Sequence, residues 1–584
     1  MASTRDVLDI LDELAQLTTL KEESPQSFKV RAYENAKQAI QADGRDITQL
    51  STTELTKIKG IGKSTAGKIR EFMDTGQVEK LEALRAEFPP PVVELSRIPG
   101  VGPKTLSLMR KELGIADLED LKQAIADEKL RDLRGLGKKA EEKIATAIER
   151  LGLSGKDRRR PIGDALPLAQ KLVAELLSHG VVERAEYCGS LRRMSETIGD
   201  VDITVASADG PAVMAIVRNQ SAVHEVILSG DTKTSFLTRE GMQVDVRVVA
   251  AEQFGAATLY FTGSKAHNIA MRQRALDRGL LLNEYGLLRK PEEDDEEASE
   301  LEVVAALDEV SIYAALDMAF VPPVMRENTG EVEASIANEL PDLVQLTHIR
   351  GDLHYHTDRS GDGRSSVEDM IAEAAGRGYE YLAITDHGED LAMNGSSAEE
   401  MLEHREHIIE AAKAHPKMTV LWGCELNIGA KGGLDYDADF RAQFDYTVAS
   451  VHSHYDQSVR EQTERLVAAI SDPTVNSIGH LTGRYIGRRP GIEIDVDVVL
   501  EALFQFDKAL EVNGALQRLD AASDVVRKAV DRGVKLVINT DSHHTSELGR
   551  MEYGVKTAQR GWAPRELVVN TWPKKKFLNW IGHS

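Results

Sequence analysis

YLAITDH, residues 381–387, is an apolar run that closes on an acid and a histidine. The pattern recurs in MTVLWGCE (418–425), DYTVASVH (445–452) and VKLVINTDSH (534–543). Short runs of this kind read as buried, mostly parallel strands. Helical patterns separate them, as in VEDMIAEAAGRG (367–378) and DVVRKAVDRG (524–533). Strand–helix repeats with polar residues at the strand C-terminal ends predict a distorted α/β barrel.

The same segment carries DLHYHTDRSGDG (352–363), IGHLTG (478–483) and NTDSHH (539–544), and thirteen of the sixteen histidines lie at or after His348. The spacing His354-x-His356 puts both imidazoles on one face of a strand end. Imidazole with carboxylate, and without paired thiolates, suits Mn, Zn or Fe better than a structural zinc site. Such clusters make hydroxide at neutral pH and screen phosphate charge, so the chemistry expected is hydrolysis. Residues 347–584 resemble the polymerase and histidinol phosphatase (PHP) family. The resemblance implies up to three ions of Mn²⁺, Zn²⁺ or Fe²⁺ and nine ligands: His354, His356, Asp362, His387, Glu425, His452, His480, Asp541 and His543. The loop after His356 is one residue longer than in the family, so Asp358 is the alternative to Asp362. Leu481 stands where proline is commoner. Asp386 is expected to orient His387, with His454 and His544 outside the ligand set.

EYCGSLRRMSETIGDVDITVA (186–206) is a second constellation. GDVDITV alternates, so Asp200 and Asp202 share a strand face, and MQVDVRVV (242–249) adds Asp245 and Arg247. Three carboxylates on neighbouring strands can hold two Mg²⁺ or Mn²⁺ ions for in-line phosphoryl transfer. GSLRR offers hydroxyl, backbone N–H and guanidinium groups to a triphosphate. Residues 1–322 resemble family X DNA polymerases. The resemblance implies a catalytic Asp200–Asp202–Asp245 triad and nucleotide contacts from Gly189, Ser190, Arg193 and Gly199. In YFTGSKAHN (260–268) it implies a nucleotide pocket of Tyr260, Phe261, Gly263 and Asn268, with Arg272 near the template. Asn283, Glu284 and Tyr285 match a motif that locks the closed state. Met194 stands where the family has glycine, and Lys265 has no obvious counterpart.

Three segments of the first 150 residues repeat one pattern: KIKGIGKSTAGKIREF (57–72), RIPGVGPKTLSLMRKE (97–112) and DLRGLGKKAEEKIATA (132–147). Each has two glycines, a lysine and then a helix. Glycine permits the tight turn, and the helix N-terminus offers free N–H groups to a phosphate. Gly60, Gly62, Gly100, Gly102, Gly135 and Gly137 are thus DNA-backbone candidates, and the segments resemble helix-hairpin-helix motifs. With SFKVRAYENAKQAI (27–40), the first of them resembles the N-terminal domain of family X polymerases, which places Lys68 at the lyase lysine.

The chain has 584 residues and a net charge of −24, which taken alone argues against nucleic acid. Binding needs only local positive potential. Lys156 with Arg158, Arg159 and Arg160 supplies it, as do Arg192 with Arg193 and Arg272 with Arg274, while acid is concentrated in 291–302. Two distant cysteines, Cys188 and Cys424, exclude a disulfide framework and suit a reducing compartment. No apolar run is long enough for a membrane span, and the N-terminus reads as neither signal nor transit peptide. The expected organisation is a helical domain at 1–86, fingers at 87–151, a nucleotidyltransferase palm at 152–251, a thumb-like region at 252–322, a linker at 323–346 and a PHP domain at 347–584. The expected protein is a monomeric, cytoplasmic, nucleoid-associated repair polymerase of bacterial or archaeal type. It would add deoxynucleotides from their triphosphates at gapped or nicked DNA, with 3′–5′ exonuclease or 3′-end and AP-site processing by the PHP domain. One alternative is a DNA-binding PHP nuclease (an AP endonuclease or 3′-phosphodiesterase) with little or no polymerase activity. Another is hydrolysis of a small phosphate ester.

Overall fold

The computed structural model describes residues 4–43, 47, 50–96, 98, 100–151, 159–289, 302–391 and 393–582. Lys156, Arg158 and the acidic run apart from Glu302 lie outside them. The chain divides into two compact units, one of residues 1–159 with 222–225 and 236–243, and one of the remainder.

The first 150 residues are helical. Thr4–Lys21 buries Val7, Leu11, Leu14 and Leu17, a stripe at helical spacing. That stripe shares one core with Ile40, Ile69, Leu81, Leu106, Leu121 and Ile144 from later helices. Gly76 and Gly114 end Lys63–Thr75 and Pro103–Leu113 with φ of 74° and 69°, left-handed caps that glycine adopts without a Cβ clash.

The palm is built on a five-stranded sheet ordered Arg184–Tyr187, Asp200–Ala206, Gln243–Val249, Lys233–Leu237, Glu225–Ser229. Arg184–Tyr187 pairs antiparallel with Asp200–Ala206. Helix Ile162–Leu177 packs against the sheet and buries Ala165, Ala169 and Leu172. Helices Phe254–Thr262 and Lys265–Leu276 follow, then a three-stranded antiparallel sheet formed by Leu280–Asn283, Gly286–Arg289 and Val303–Ala305.

Seven parallel strands form the C-terminal sheet in sequential order: Gly351–Asp352, Tyr381–Ile384, Thr419–Asn427, Tyr446–Ser450, Ser477–Ile478, Ala509–Asn513 and Lys535–Asn539. The first and last strands nearly close the barrel. Tyr355 bridges Ser542, and the Asn570 amide donates to both the Gly351 and the Ile538 carbonyl. Alternate strand residues, Tyr381, Ala383, Leu421, Tyr446, Val448, Ala509 and Val537, make an inner cluster with Phe577 of helix Lys574–Trp580. The Phe577 ring stacks on Tyr381 at 4.3 Å. The strands' other face packs against the outer helices in a separate, larger cluster.

The segment between palm and barrel is packed structure. It contains helix Glu331–Ala337, and Arg326 and Glu331 are fully buried. Arg326 pairs with Glu309, and a Glu331 oxygen lies 2.7 Å from His267.

Two candidate metal centres

All nine candidate ligands of the barrel come from the C-terminal ends of its strands or the loops just beyond. Glu425, near the end of Thr419–Asn427, is the hub. Nitrogens of His354, His356, His387, His452 and His480 lie 3.4, 3.4, 3.0, 3.3 and 2.9 Å from its carboxylate. Asp541 lies 3.7 and 3.3 Å from His354 and His356. Asp362 lies 3.5 Å from both His387 and His543. Both Asp358 and Asp362 are exposed, but it is Asp362 that stands among the imidazoles.

Three overlapping groups could each hold an ion: His356, Asp362, His387 and His543; His354, His356 and Asp541; His387, Glu425 and His452. The donors fit this role on a second count. His354 Nε2, His356 Nε2, His387 Nδ1, His480 Nδ1 and both Glu425 oxygens are buried without a hydrogen-bond partner. Buried polar atoms are almost always satisfied, so a converging set of unsatisfied ones points to a cation. Burial pushes the Glu425 carboxyl up, but His452, His354 and His387 outweigh it and hold it well below the usual carboxylate range.

A surrounding layer of residues, not singled out by the sequence reading, fixes the imidazoles. Glu511 Oε1 lies 2.7 Å from His354 Nδ1, and Asn427 Oδ1 lies 2.7 Å from His452 Nδ1. Asn427 is itself held by Asp435. The available signal was position, since Asn427 follows Glu425 at the two-residue spacing of a strand face, and LEVN closes another apolar run. Asp386 departs from its expected role. It accepts from Thr357 N and Oγ1 and from Ser360 Oγ, and lies 2.7 Å from His404 Nε2, so it pins the 357–360 turn. Ser360 Oγ in turn accepts from the His387 backbone N–H. His454 is exposed, and His544 caps a short helix through Ser546 N.

In the palm, Asp200 and Asp202 lie on Asp200–Ala206 and Asp245 on the adjacent Gln243–Val249. Burial, then the charges of Asp200 and Asp245, push the Asp202 carboxyl up to about 7. A cation bound between such carboxylates would relieve their mutual repulsion. Lys233 Nζ lies 3.2 Å from Asp245. Gly189 permits a close approach, because a Cβ there would come 2.8 Å from Asp202 Oδ2.

Ser190 lies on the short helix Gly189–Arg192, and Gly199 directly precedes Asp200. Arg193 donates to Glu327 at 3.0 Å and to the Thr262 carbonyl at 2.5 Å. Met194, buried, takes φ of 56°, the left-handed conformation that glycine adopts freely. The Phe261 ring faces the Arg247 guanidinium at 4.7 Å. Gly263, with φ of 70°, ends helix Phe254–Thr262. Tyr260, Asn268, Arg272 and Asn283 line one cleft, and Asn268 Nδ2 donates to the Tyr260 carbonyl. Lys265 is exposed.

In the helical unit, Gly60, Gly100 and Gly135 have φ of 111°, 95° and 88°. Gly62 and Gly102 cap the next helix with no side-chain hydrogen bond, and the helix after Gly102 opens on Pro103, which has no N–H. Gly137 accepts from Ala140 and Glu141 in the same position. A Cβ at Gly62, Gly102 or Gly137 would meet nothing within 4 Å, so these turns face open space. Burial lowers the Lys68 pKa, Nearby Glu71 opposes that shift and Lys80 adds to it. Its Nζ donates to Ser64 Oγ at 2.8 Å.

These helical hairpins, polymerase-type palm and metal-binding barrel define a DNA-polymerase-class protein with a second, hydrolytic module. Four family models match: a helix-hairpin-helix domain at residues 3–78, a SAM-like helix-hairpin-helix tandem at 92–150, the DNA polymerase beta thumb at 257–327 and the PHP domain at 352–515. The chain is 37% identical over 570 residues to the DNA polymerase/3′-5′ exonuclease PolX of Bacillus subtilis, covering 97% of both chains. It is 29% identical over 227 residues to a probable phosphatase of Caldicellulosiruptor bescii, covering 38% of this chain and 90% of that protein. A probable phosphatase of Acetivibrio thermocellus is 30% identical over 238 residues, covering 39% and 94%. The chain belongs to the family X DNA polymerases that carry a C-terminal PHP domain. Among the described residues no helix is long and apolar enough to cross a membrane.

Proposed function

We propose that this protein is a DNA repair polymerase that extends a 3′ end across short gaps, and that its PHP barrel removes 3′ nucleotides. The observation that carries the reading is two separate sets of donors: Asp200, Asp202 and Asp245 on adjacent palm strands, where the first and last raise the pKa of Asp202, and the converging histidines and carboxylates of the barrel. Both sets fit divalent cations: two Mg²⁺ or Mn²⁺ in the palm, and up to three Mn²⁺, Zn²⁺ or Fe²⁺ in the barrel. Bound there, the ions supply charge neutralisation on phosphate and activation of the attacking oxygen.

The protein's own groups do the positioning. Ser190 and Arg193 receive the triphosphate of the incoming deoxynucleotide, with Arg193 released from Glu327. Tyr260 and Phe261 line the sugar and disfavour a ribose. Asn268 braces the Tyr260 backbone and Arg272 faces the template strand. The hairpins at Gly60–Gly62, Gly100–Gly102 and Gly135–Gly137 hold the DNA backbone. Lys68, its pKa lowered by burial, suits Schiff-base chemistry at a 5′ sugar remnant. In this reading the division is 1–86 for 5′-end binding, 87–151 fingers, 152–251 palm, 252–322 thumb, 323–346 connector and 347–584 PHP. The protein works as a monomer in the cytoplasm. On one labelled gapped duplex with Mg²⁺ or Mn²⁺, the primer lengthens with deoxynucleotides, more efficiently with a 5′-phosphate at the gap, and shortens without them. Failure to extend any primer would overturn the polymerase reading, and failure to shorten one the nuclease reading.

A further inference from the structure

One charged group at the barrel mouth belongs to none of the ligand sets. Arg518 follows strand Ala509–Asn513, and its Nε lies 3.5 Å from Asp541 Oδ2. Its Nη1 is buried and has no hydrogen-bond partner. A buried guanidinium N–H is costly to leave unpaired, so Nη1 favours an acceptor that enters the site. Arginine cannot bind a cation, and its planar fork matches the oxygens of a phosphate.

The neighbours of Arg518 extend the site outward. Its guanidinium lies over the Tyr485 ring at 4.5 Å, and Arg489 lies over the same ring at 4.7 Å. Arg489 also lies over Tyr455, three residues beyond His452, at 4.3 Å. The row Arg518–Tyr485–Arg489–Tyr455 thus starts beside Asp541 and spans loops after three successive strands. It is held in place by backbone bonds. Arg484 Nε donates to the Arg518 carbonyl at 2.9 Å and Ile486 N to the Gln517 carbonyl at 2.8 Å. Arg489 donates to the Gly483 carbonyl, and Tyr455 Oη to the Val451 carbonyl. The row sets aromatic and guanidinium groups together, the combination on which nucleobases stack with little regard to sequence.

We propose that Arg518 grips a non-bridging oxygen of the scissile phosphodiester, and that Tyr485 with Arg489 forms the shelf for the 3′-terminal base. This rests on the 3′-exonuclease reading of the barrel. The test uses the full-length, Mn²⁺-loaded protein and its Arg518→Ala, Arg518→Lys and Tyr485→Ala variants. Release of 3′ nucleotides is measured with bound-metal content, inhibition by inorganic phosphate and anisotropy binding of an oligonucleotide with a cleavage-resistant phosphorothioate 3′ end. Arg518→Ala lowers kcat by about 10²-fold or more and weakens phosphate inhibition, with metal content unchanged. Arg518→Lys restores part of the loss, because the charge returns without the fork. Tyr485→Ala raises KM and weakens oligonucleotide binding, with kcat little altered. Unchanged kcat and phosphate inhibition in Arg518→Ala would overturn the proposal. So would loss of bound metal in that variant, which would make Arg518 a support for Asp541. A wild-type protein that releases no 3′ nucleotide sinks the exonuclease reading itself, whereas an active wild type with indifferent variants sinks only this inference.

Discussion

Asp202 is a buried carboxyl beside two others, and its raised pKa of about 7 has consequences of definite sign. Between the unfolded value near 4 and about 7, the native metal-free protein binds the extra proton. The group's contribution to stability is therefore present at low pH and is lost as pH rises toward 7. In EDTA, Asp202→Asn should raise the thermal midpoint at pH 8 and leave it little changed at pH 5. Coincident pH profiles for the two proteins would contradict this electrostatic account. Metal binding has the opposite dependence, because the ion must displace the proton. Below pH 7, gap filling at subsaturating Mg²⁺ should fall by about tenfold per pH unit. In the barrel, Glu511 sets His354 through the 2.7 Å contact and accepts from His480 N at 2.6 Å. Glu511→Gln should weaken PHP metal binding by about 10–100-fold, as losing an orienting partner does. Metal titration checks this, with primer extension as the internal control.

At the scale of the element, the proposed role of the hairpins rests on helix N-termini. Gly102 precedes Pro103–Leu113 with no side-chain cap and φ of −74°, and its Cβ position is open. A glutamate fits there sterically and places a carboxylate where the proposed reading puts a DNA phosphate. Gly102→Glu should keep the thermal midpoint, weaken gapped-DNA binding several-fold at low salt and reduce the salt slope by about one. Equal binding by the variant would remove this hairpin from the interface. The wild-type affinity should fall with salt and vary little with sequence, as expected of backbone contacts. The barrel strands obey a related logic. Their ends present polar donors because the next residue leaves the ladder, while the inner and outer faces are occupied by apolar side chains.

On the scale of the whole molecule, palm and barrel are fastened at the loop that carries Ser190 and Arg193. Glu196 of that loop pairs with Arg484 of the barrel at 2.8 Å. Arg560 donates to the Arg193 carbonyl at 2.8 Å and pairs with Glu327, which also holds the Arg193 guanidinium. Even so, the two proposed centres share no residue, the palm carboxylates lying on Asp200–Ala206 and Gln243–Val249 and the barrel donors at or beyond His354. Asp202→Ala should reduce primer extension by at least about 10²-fold and leave Mn²⁺-dependent 3′ processing largely intact, since the two-metal site loses a ligand. His356→Ala should do the reverse. Assays of both variants on one labelled substrate, with circular dichroism for folding, decide it. Full nuclease activity in His356→Ala together with its loss in Asp202→Ala would show that the barrel is not the nuclease.

Much of this was legible in the chain alone, for a local reason. A strand announces itself by its apolar run, and the residues that end it fall at the same rim whatever else the chain does. His387, His452, Asp541 and His543 could therefore be named from short motifs, as could Asp200 and Asp202 from a period of two. The hairpin glycines were readable for the same reason, because a turn is made by its own residues. What remained hidden depends on partners far apart in sequence. His354 and Glu511 are 157 residues apart, Arg193 and Glu327 are 134, and no local pattern links either pair. That Asp362 comes beside His387, and that Asp386 turns toward His404 instead of His387, follows from how one loop folds over the barrel rim. Local periodicity determined which residues reach the ends of strands. Only the packing of strands and loops in three dimensions decided which of them meet, because hydrogen bonds and ion pairs depend on distances that the order of residues does not contain.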